Sequence, residues 1–155
     1  MKRFVSTALL SLSICFTAGG ASAAPNVSRD EVPGLVKEAI QYMKKNGRPK
    51  AFAEFNNPNG QFTRGEFYIV VATLDGVVLS HGSNPRLIGK DIHEIKDMDG
   101  KLFVQDQIKM AKEKGNGWIE FRAPNPVSKL IEEKTVYMER ADDVMVTGGI
   151  YKEKK

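Results

Sequence analysis

Gly117-Trp118-Ile119-Glu120-Phe121-Arg122, Lys134-Thr135-Val136-Tyr137-Met138-Glu139-Arg140 and Val144-Met145-Val146-Thr147-Gly148-Gly149-Ile150-Tyr151 are the segments on which the fold turns. The first two alternate between large or apolar and polar side chains, the pattern of half-buried strands. Asp142-Asp143 is a short polar turn between the second segment and the third. Three consecutive antiparallel strands are therefore expected. With a period of two, Lys134, Val136 and Met138 share one face of the middle strand, and Thr135, Tyr137 and Glu139 share the other. One face must cover a core, so cationic and phenolic groups are woven in beside it. A sheet built this way offers a place for a small anion.

Working outward from there, the chain begins with an address. Met1-Lys2-Arg3 is a cationic head, residues 4 to 19 are mostly apolar or small, and Ala21-Ser22-Ala23 fits a small-residue cleavage site. A signal peptide over residues 1–23, cut after Ala23, is the expectation, with residues 24–155 as one exported, periplasmic domain. The apolar run is short for a membrane span of about 20 residues. Ile14 stands where a lipoprotein site at Cys15 would need a small residue. Cys15 is the only cysteine, so the domain after the cut has no thiol, disulfide or cysteine metal site. Losing Lys2 and Arg3 lowers 23 basic residues to 21 against 19 acidic ones, a net charge of +2 instead of +4. The basic residues are interleaved with acidic ones and form no long patch, which argues against nucleic acid as a partner. About 130 residues remain, enough for one domain with one core.

Ser28-Arg29-Asp30-Glu31 reads as a capping box. Val32, Leu35, Val36, Ala39, Ile40 and Met43 then recur at helical spacing until Asn46-Gly47. Residues 51 to 56 read as a short second helix. The hairpin at 67–81 turns on Asp75-Gly76, and its first strand is apolar on both faces and so central. A long irregular loop spans 82 to 99, of the kind that is more often functional than incidental. A helix over 101–114 ends at Gly115. The plan is α+β: a five-stranded antiparallel sheet with a long N-terminal helix and a helix-bearing loop over one face.

At this point a set of ordered blocks resembles the extracytoplasmic single Cache domains. They include Ala51-Phe52-Ala53-Glu54-Phe55-Asn56, Phe67-Tyr68-Ile69-Val70-Val71, Asp75-Gly76-Val77-Val78-Leu79-Ser80-His81 and Asn84-Pro85-Arg86-Leu87-Ile88-Gly89-Lys90. Gly60-Gln61-Phe62, Asp97-Met98-Asp99-Gly100-Lys101-Leu102-Phe103, Gly115-Asn116-Gly117-Trp118-Ile119-Glu120-Phe121, Pro124-Asn125-Pro126, Lys134-Thr135-Val136-Tyr137 and Gly149-Ile150-Tyr151 complete the set. The resemblance implies a PAS-like sheet with a pocket between one sheet face and the loop-plus-helix segment. It also implies a module that binds small organic acids, amines or amino acids without transforming them. Family members mostly sit on histidine kinases, chemoreceptors or cyclases through flanking membrane helices. This sequence shows no second membrane helix, so a signal would pass through a separate membrane receptor or histidine kinase. A homodimer through the first helix is a further expectation of the resemblance.

The candidate ligand-binding residues are Tyr68, His81, Trp118, Phe121, Arg122, Lys134 and Tyr137. Lys134 and Arg122 suit a carboxylate, Arg with a bidentate fork. Tyr68 and Tyr137 can donate hydroxyl hydrogen bonds, the single tryptophan suits a pocket wall, and His81 opens the long loop as a possible donor. Tyr151 reads as packing. Asp97-Met98-Asp99-Gly100 lacks the remaining ligands of a calcium loop and reads as an Asx turn capping the next helix. No metal and no cofactor are expected. His81 and His93 are the only histidines, and no nucleophile elbow, zinc or phosphate-loop motif is present. Glu132-Glu133 and Asp142-Asp143 read as solvated loop charge. The expectation is a non-catalytic binder of a small carboxylate; the alternative is a ligand-free module that regulates a membrane partner.

Overall fold

The computed structural model describes residues 26–152; the expected leader lies outside the described residues. Helix α1 (Val32–Asn46) buries Val32, Leu35, Val36, Ala39, Ile40 and Met43, the stripe its spacing announces. Gly47, at φ +78°, ends it. Only half of the capping box forms. The Glu31 carboxylate accepts from the Ser28 N–H at 2.8 Å and from the Ser28 hydroxyl at 2.7 Å. The hydroxyl therefore donates to a carboxylate and caps no amide. Helix α2 (Arg48–Phe55) starts three residues ahead of expectation, because Pro49 suits a first helical turn. It buries Phe55, whose ring meets Phe62 edge-on at 4.9 Å.

Five strands follow: β1 (Ile69–Thr73), β2 (Val78–His81), β3 (Asn116–Pro124), β4 (Ile131–Ala141) and β5 (Val144–Tyr151). They form one antiparallel sheet in the order β2-β1-β5-β4-β3. The hairpins β1–β2, β3–β4 and β4–β5 are local, and the sheet closes where β5 docks beside β1. Glu132 and Glu133, read from sequence as loop charge, lie within β4. Strand β5 is central and almost wholly buried, so both of its faces must pack. Its Gly148-Gly149 pair is the means. A Cβ on Gly148 would come within 2.7 Å of the Phe67 ring and 3.0 Å of Val36; one on Gly149 would meet Val136 at 2.6 Å and the Lys134 side chain at 3.1 Å. The first glycine lets α1 approach one face, and the second leaves room for the Lys134 stem on the other.

Two packing layers result. Helices α1 and α2 cover one face with Val36, Phe55, Phe67, Ile69, Val71, Val144 and Val146. Each such side chain contributes roughly 1.5–3 kcal/mol through removal from water. Helix α3 (Phe103–Glu113) covers part of the other with Val104, Ile108 and Ala111 against Ala72, Met138 and Met145. It begins two residues later than expected and has no side-chain cap. Asp97 does form the expected Asx turn, accepting from the N–H groups of Asp99 and Lys101 at 2.9 Å each. Its second oxygen accepts from the Arg122 N–H at 3.1 Å. The turn thus fastens the long loop to the open edge of β3 and does not cap α3. The Lys101 ammonium adds a bond to the Glu120 carbonyl at 2.7 Å.

Candidate functional site

Register places the candidate residues. Lys134 pairs with Phe121 on β3 and Tyr151 on β5, and Val70, one strand further along, pairs with both Thr147 and His81. Lys134, Tyr151, His81 and Tyr68, the last just before β1, therefore share the face that the long loop and α3 overlie. Lys134 is only 5% exposed. Its ammonium lies 3.8 Å from the centre of the Tyr68 ring and 4.9 Å from that of Tyr151. Among the described residues it forms no ion pair. Two aromatic faces are partial compensation for a desolvated cation.

The neighbours respond to that charge. Burial alone would raise the Tyr68 phenol, but the Lys134 charge and polar contacts with Lys134, Ser83 and Tyr151 bring it below its ordinary value. Burial, and then the Lys134 charge, push His81 down to about 4, so at neutral pH its ring is uncharged. The Ser83 and Asn84 N–H groups donate to its Nδ1 at 3.3 and 3.0 Å. That assigns the ring proton to Nε2, leaving it as a donor. Asn56, at the end of α2, holds this strand end by accepting from the Ser80 hydroxyl at 2.8 Å and the His81 N–H at 2.9 Å. Burial raises the Tyr151 phenol; its hydroxyl donates to the Pro124 carbonyl at 2.7 Å and lies 3.4 Å from the Tyr68 hydroxyl. An ammonium, a phenol and a neutral imidazole thus converge, and among the described residues no carboxylate is paired with the ammonium. Such a set can receive a small anion.

Of the seven residues singled out in the sequence, Tyr68, His81 and Lys134 come together here, and Phe121 borders them. The Phe121 ring stacks on Phe103 at 3.9 Å, at the start of α3. Trp118, Arg122 and Tyr137 do not join them, since each stands on the opposite face. Trp118 is held edge-on to Tyr137 at 5.4 Å and lies under the Arg29 guanidinium at 4.5 Å. The Tyr137 hydroxyl donates to Glu139 at 3.1 Å, and burial first, then that carboxylate, push its pKa up to about 12. Arg122 points to Asp99 at 3.7 Å. Tyr151, read as packing, belongs to the cluster; the signal that finds it is its register with Lys134, which no local pattern carries.

A cleft of about 850 Å³ opens at the end of the sheet, between residues 26–29, the loop at 97–101 and the β3–β4 hairpin. It is lined by charged groups of both signs and by Phe121 and Tyr151, the two register partners of Lys134, but not by Lys134 itself. Both register partners of Lys134 thus border the cleft as well.

A family description, Single Cache domain 2, matches residues 21–153. No curated protein sequence matches the chain. Among solved structures, the chain is similar to a periplasmic sensor domain of a chemotaxis protein, with 20% identity over 80% of this chain and 90% of that one and a TM-score of 0.63. It is also similar to a Cache chemosensory domain described for its carboxylic acid recognition, with 24% identity, 80% and 92% coverage and a TM-score of 0.69. A methyl-accepting chemotaxis protein from Vibrio parahaemolyticus aligns with 20% identity, 79% and 87% coverage and a TM-score of 0.70. At these identities the likeness is one of fold.

Proposed function

The chain belongs to the single Cache domain 2 family, and from that premise we propose that it is an extracytoplasmic binding domain for a small carboxylate, taken up at Lys134. The observation that carries this reading is a strand lysine that is 5% exposed and has no ion pair among the described residues. A desolvated charge without a countercharge is costly, and a carboxylate would supply the countercharge. In this reading Lys134 is the electrostatic anchor, Tyr68 and the Nε2–H of neutral His81 donate to the second oxygen, and Tyr151 closes the wall. None of these groups is paired as nucleophile and base, and the module holds its ligand unchanged. The carboxylic acid recognition reported for a Cache chemosensory domain of the same fold supports the ligand class. The bound state would be passed to a separate membrane receptor or kinase.

A second reading, a ligand-free interaction module, draws on one observation: the large cleft is lined by Phe121 and Tyr151 but not by Lys134. Thermal unfolding against acetate, propionate, lactate and pyruvate separates the two. A ligand at ~100 times its dissociation constant adds roughly 2.7 kcal/mol, a rise of several degrees for a domain of this size. The rise is expected in the wild type and absent in Lys134→Met. No rise with any acid, in folded protein freed of ligand, would favour the interaction module.

A further inference from the structure

Helix α3 carries one polar side chain into its packed face. Its buried residues are Val104, Gln107, Ile108 and Ala111. Gln107 is only 7% exposed, yet among the described residues its side-chain amide forms no hydrogen bond. Among those residues no wholly enclosed side-chain polar atom lacks a partner, so the Gln107 amide keeps a little accessible surface. A buried amide left without a partner is costly. Leucine or methionine would fill the same position without that cost.

The two ends of α3 set the place of this amide. The Phe103 ring stacks on Phe121 at 3.9 Å, and Met110 stands directly over Gly117, so α3 runs along β3 from Phe121 towards Gly117. Gln107 lies between these anchors, where the β3 residue on the same face is Ile119. Ile119 pairs with Val136, and Val136 pairs with Gly149. Val136 follows Lys134 on this face of β4, about 7 Å along the strand. The Lys134 stem leans the same way, because a Cβ on Gly149 would meet its Cε at 3.1 Å. The helix thus brings an unpaired amide to one side of Val136, and the sheet brings an ammonium without an ion pair to the other.

We propose that Gln107 is a specificity-determining residue of the Lys134 site, hydrogen-bonding a hydroxyl or keto oxygen on the chain of the bound acid. The ligand class thereby narrows from small carboxylates to short hydroxy and oxo acids; this inference rests on the carboxylate reading of Lys134. A primary amide suits the task, since its oxygen accepts from a hydroxyl and its N–H groups donate to a hydroxyl or a keto oxygen. An acid without that oxygen would leave the amide unpaired in the complex as well, and a site of this kind rejects the analogue that lacks the group.

Titration calorimetry on the purified protein, freed of bound acid, compares lactate and pyruvate with propionate, which has the same carbon skeleton and lacks the extra oxygen. Wild type is expected to bind lactate and pyruvate about tenfold more tightly than propionate. Gln107→Leu and the unbranched Gln107→Met should erase that preference by weakening the oxygenated acids alone, with the unliganded unfolding temperature level or raised. Lys134→Met should abolish binding of all three. Equal affinities in wild type, or Gln107 variants that keep the preference or weaken all three acids alike, overturn the inference; the reading of Lys134 then stands as long as Lys134→Met abolishes binding. A lowered unfolding temperature in both Gln107 variants would show an amide satisfied by the fold and would overturn it too. No binding of any acid by wild type overturns both.

Discussion

Strand β4 sends Tyr137 toward α1 and Lys134 toward α3, and the two side chains, three residues apart, enter surroundings of opposite character. On the α1 face, rings and aliphatic chains interlock, and the polar group buried there, Ser80, is bonded to Asn56. On the α3 face the same sheet buries an ammonium, an imidazole and two phenols around Lys134. The first arrangement maximises contact and leaves nothing for a ligand to supply. The second spends stability on a charge that its surroundings only partly neutralise. If this contrast is right, substitutions on the two faces should differ in sign as well as size.

The largest effect is expected on the α1 face. Phe55→Ala empties a fully buried site between Tyr42 and Phe62 and should destabilise the domain by about 3–5 kcal/mol in chemical denaturation. The loss should be the same with and without ligand. A next effect concerns pH. His81 has a folded pKa of about 4 against an ordinary 6.5, so between these values the unfolded chain binds more protons. Stability should be fully expressed above about 6.5 and fall as the pH drops toward 4, by on the order of 3 kcal/mol. His81→Gln should flatten that slope while the rest of the acid titration persists; an unaltered slope would mean that His81 is not held neutral by its surroundings.

Lys134→Met reverses the sign. It keeps the length and volume of the stem beneath Tyr68 and removes the charge. Unliganded stability is expected to stay level or rise by about 1–2 kcal/mol while the response to carboxylates disappears. A large loss of stability would show that the ammonium is structurally satisfied and would remove the contrast between the faces.

What could be read in the sequence follows the reach of each signal. The α1 stripe and the alternation of β3 and β4 are local, and they appear where their spacing places them. The parity of β4 already set Lys134 and Tyr137 on opposite faces, so a single site containing both was in conflict with the strand period. Tyr151 could not be found the same way, since its place beside Lys134 depends on the pairing of β5 with β4. Trp118 was read as a pocket wall, and the group that covers its ring, Arg29, reaches it from 89 positions away through tertiary packing. Asp97 carried a correct Asx turn whose purpose, covering the β3 edge at Arg122, exists only once that edge is formed.

The smallest expected effect is also the sharpest test of the faces. Trp118 is the single tryptophan, half-buried between Tyr137 and Arg29 on the α1 side. A carboxylate bound at Lys134 lies across the sheet from it, so saturating acetate should leave its emission almost unchanged. A tryptophan introduced at the site itself, Tyr68→Trp in a Trp118→Phe background, should respond strongly, because there the ligand approaches the indole ring. The opposite result, a strong response from Trp118 and none from position 68, would place the anion in the charged cleft beside Arg29 and Arg122. The buried ammonium of Lys134 would then be part of the scaffold, and the two faces would exchange roles.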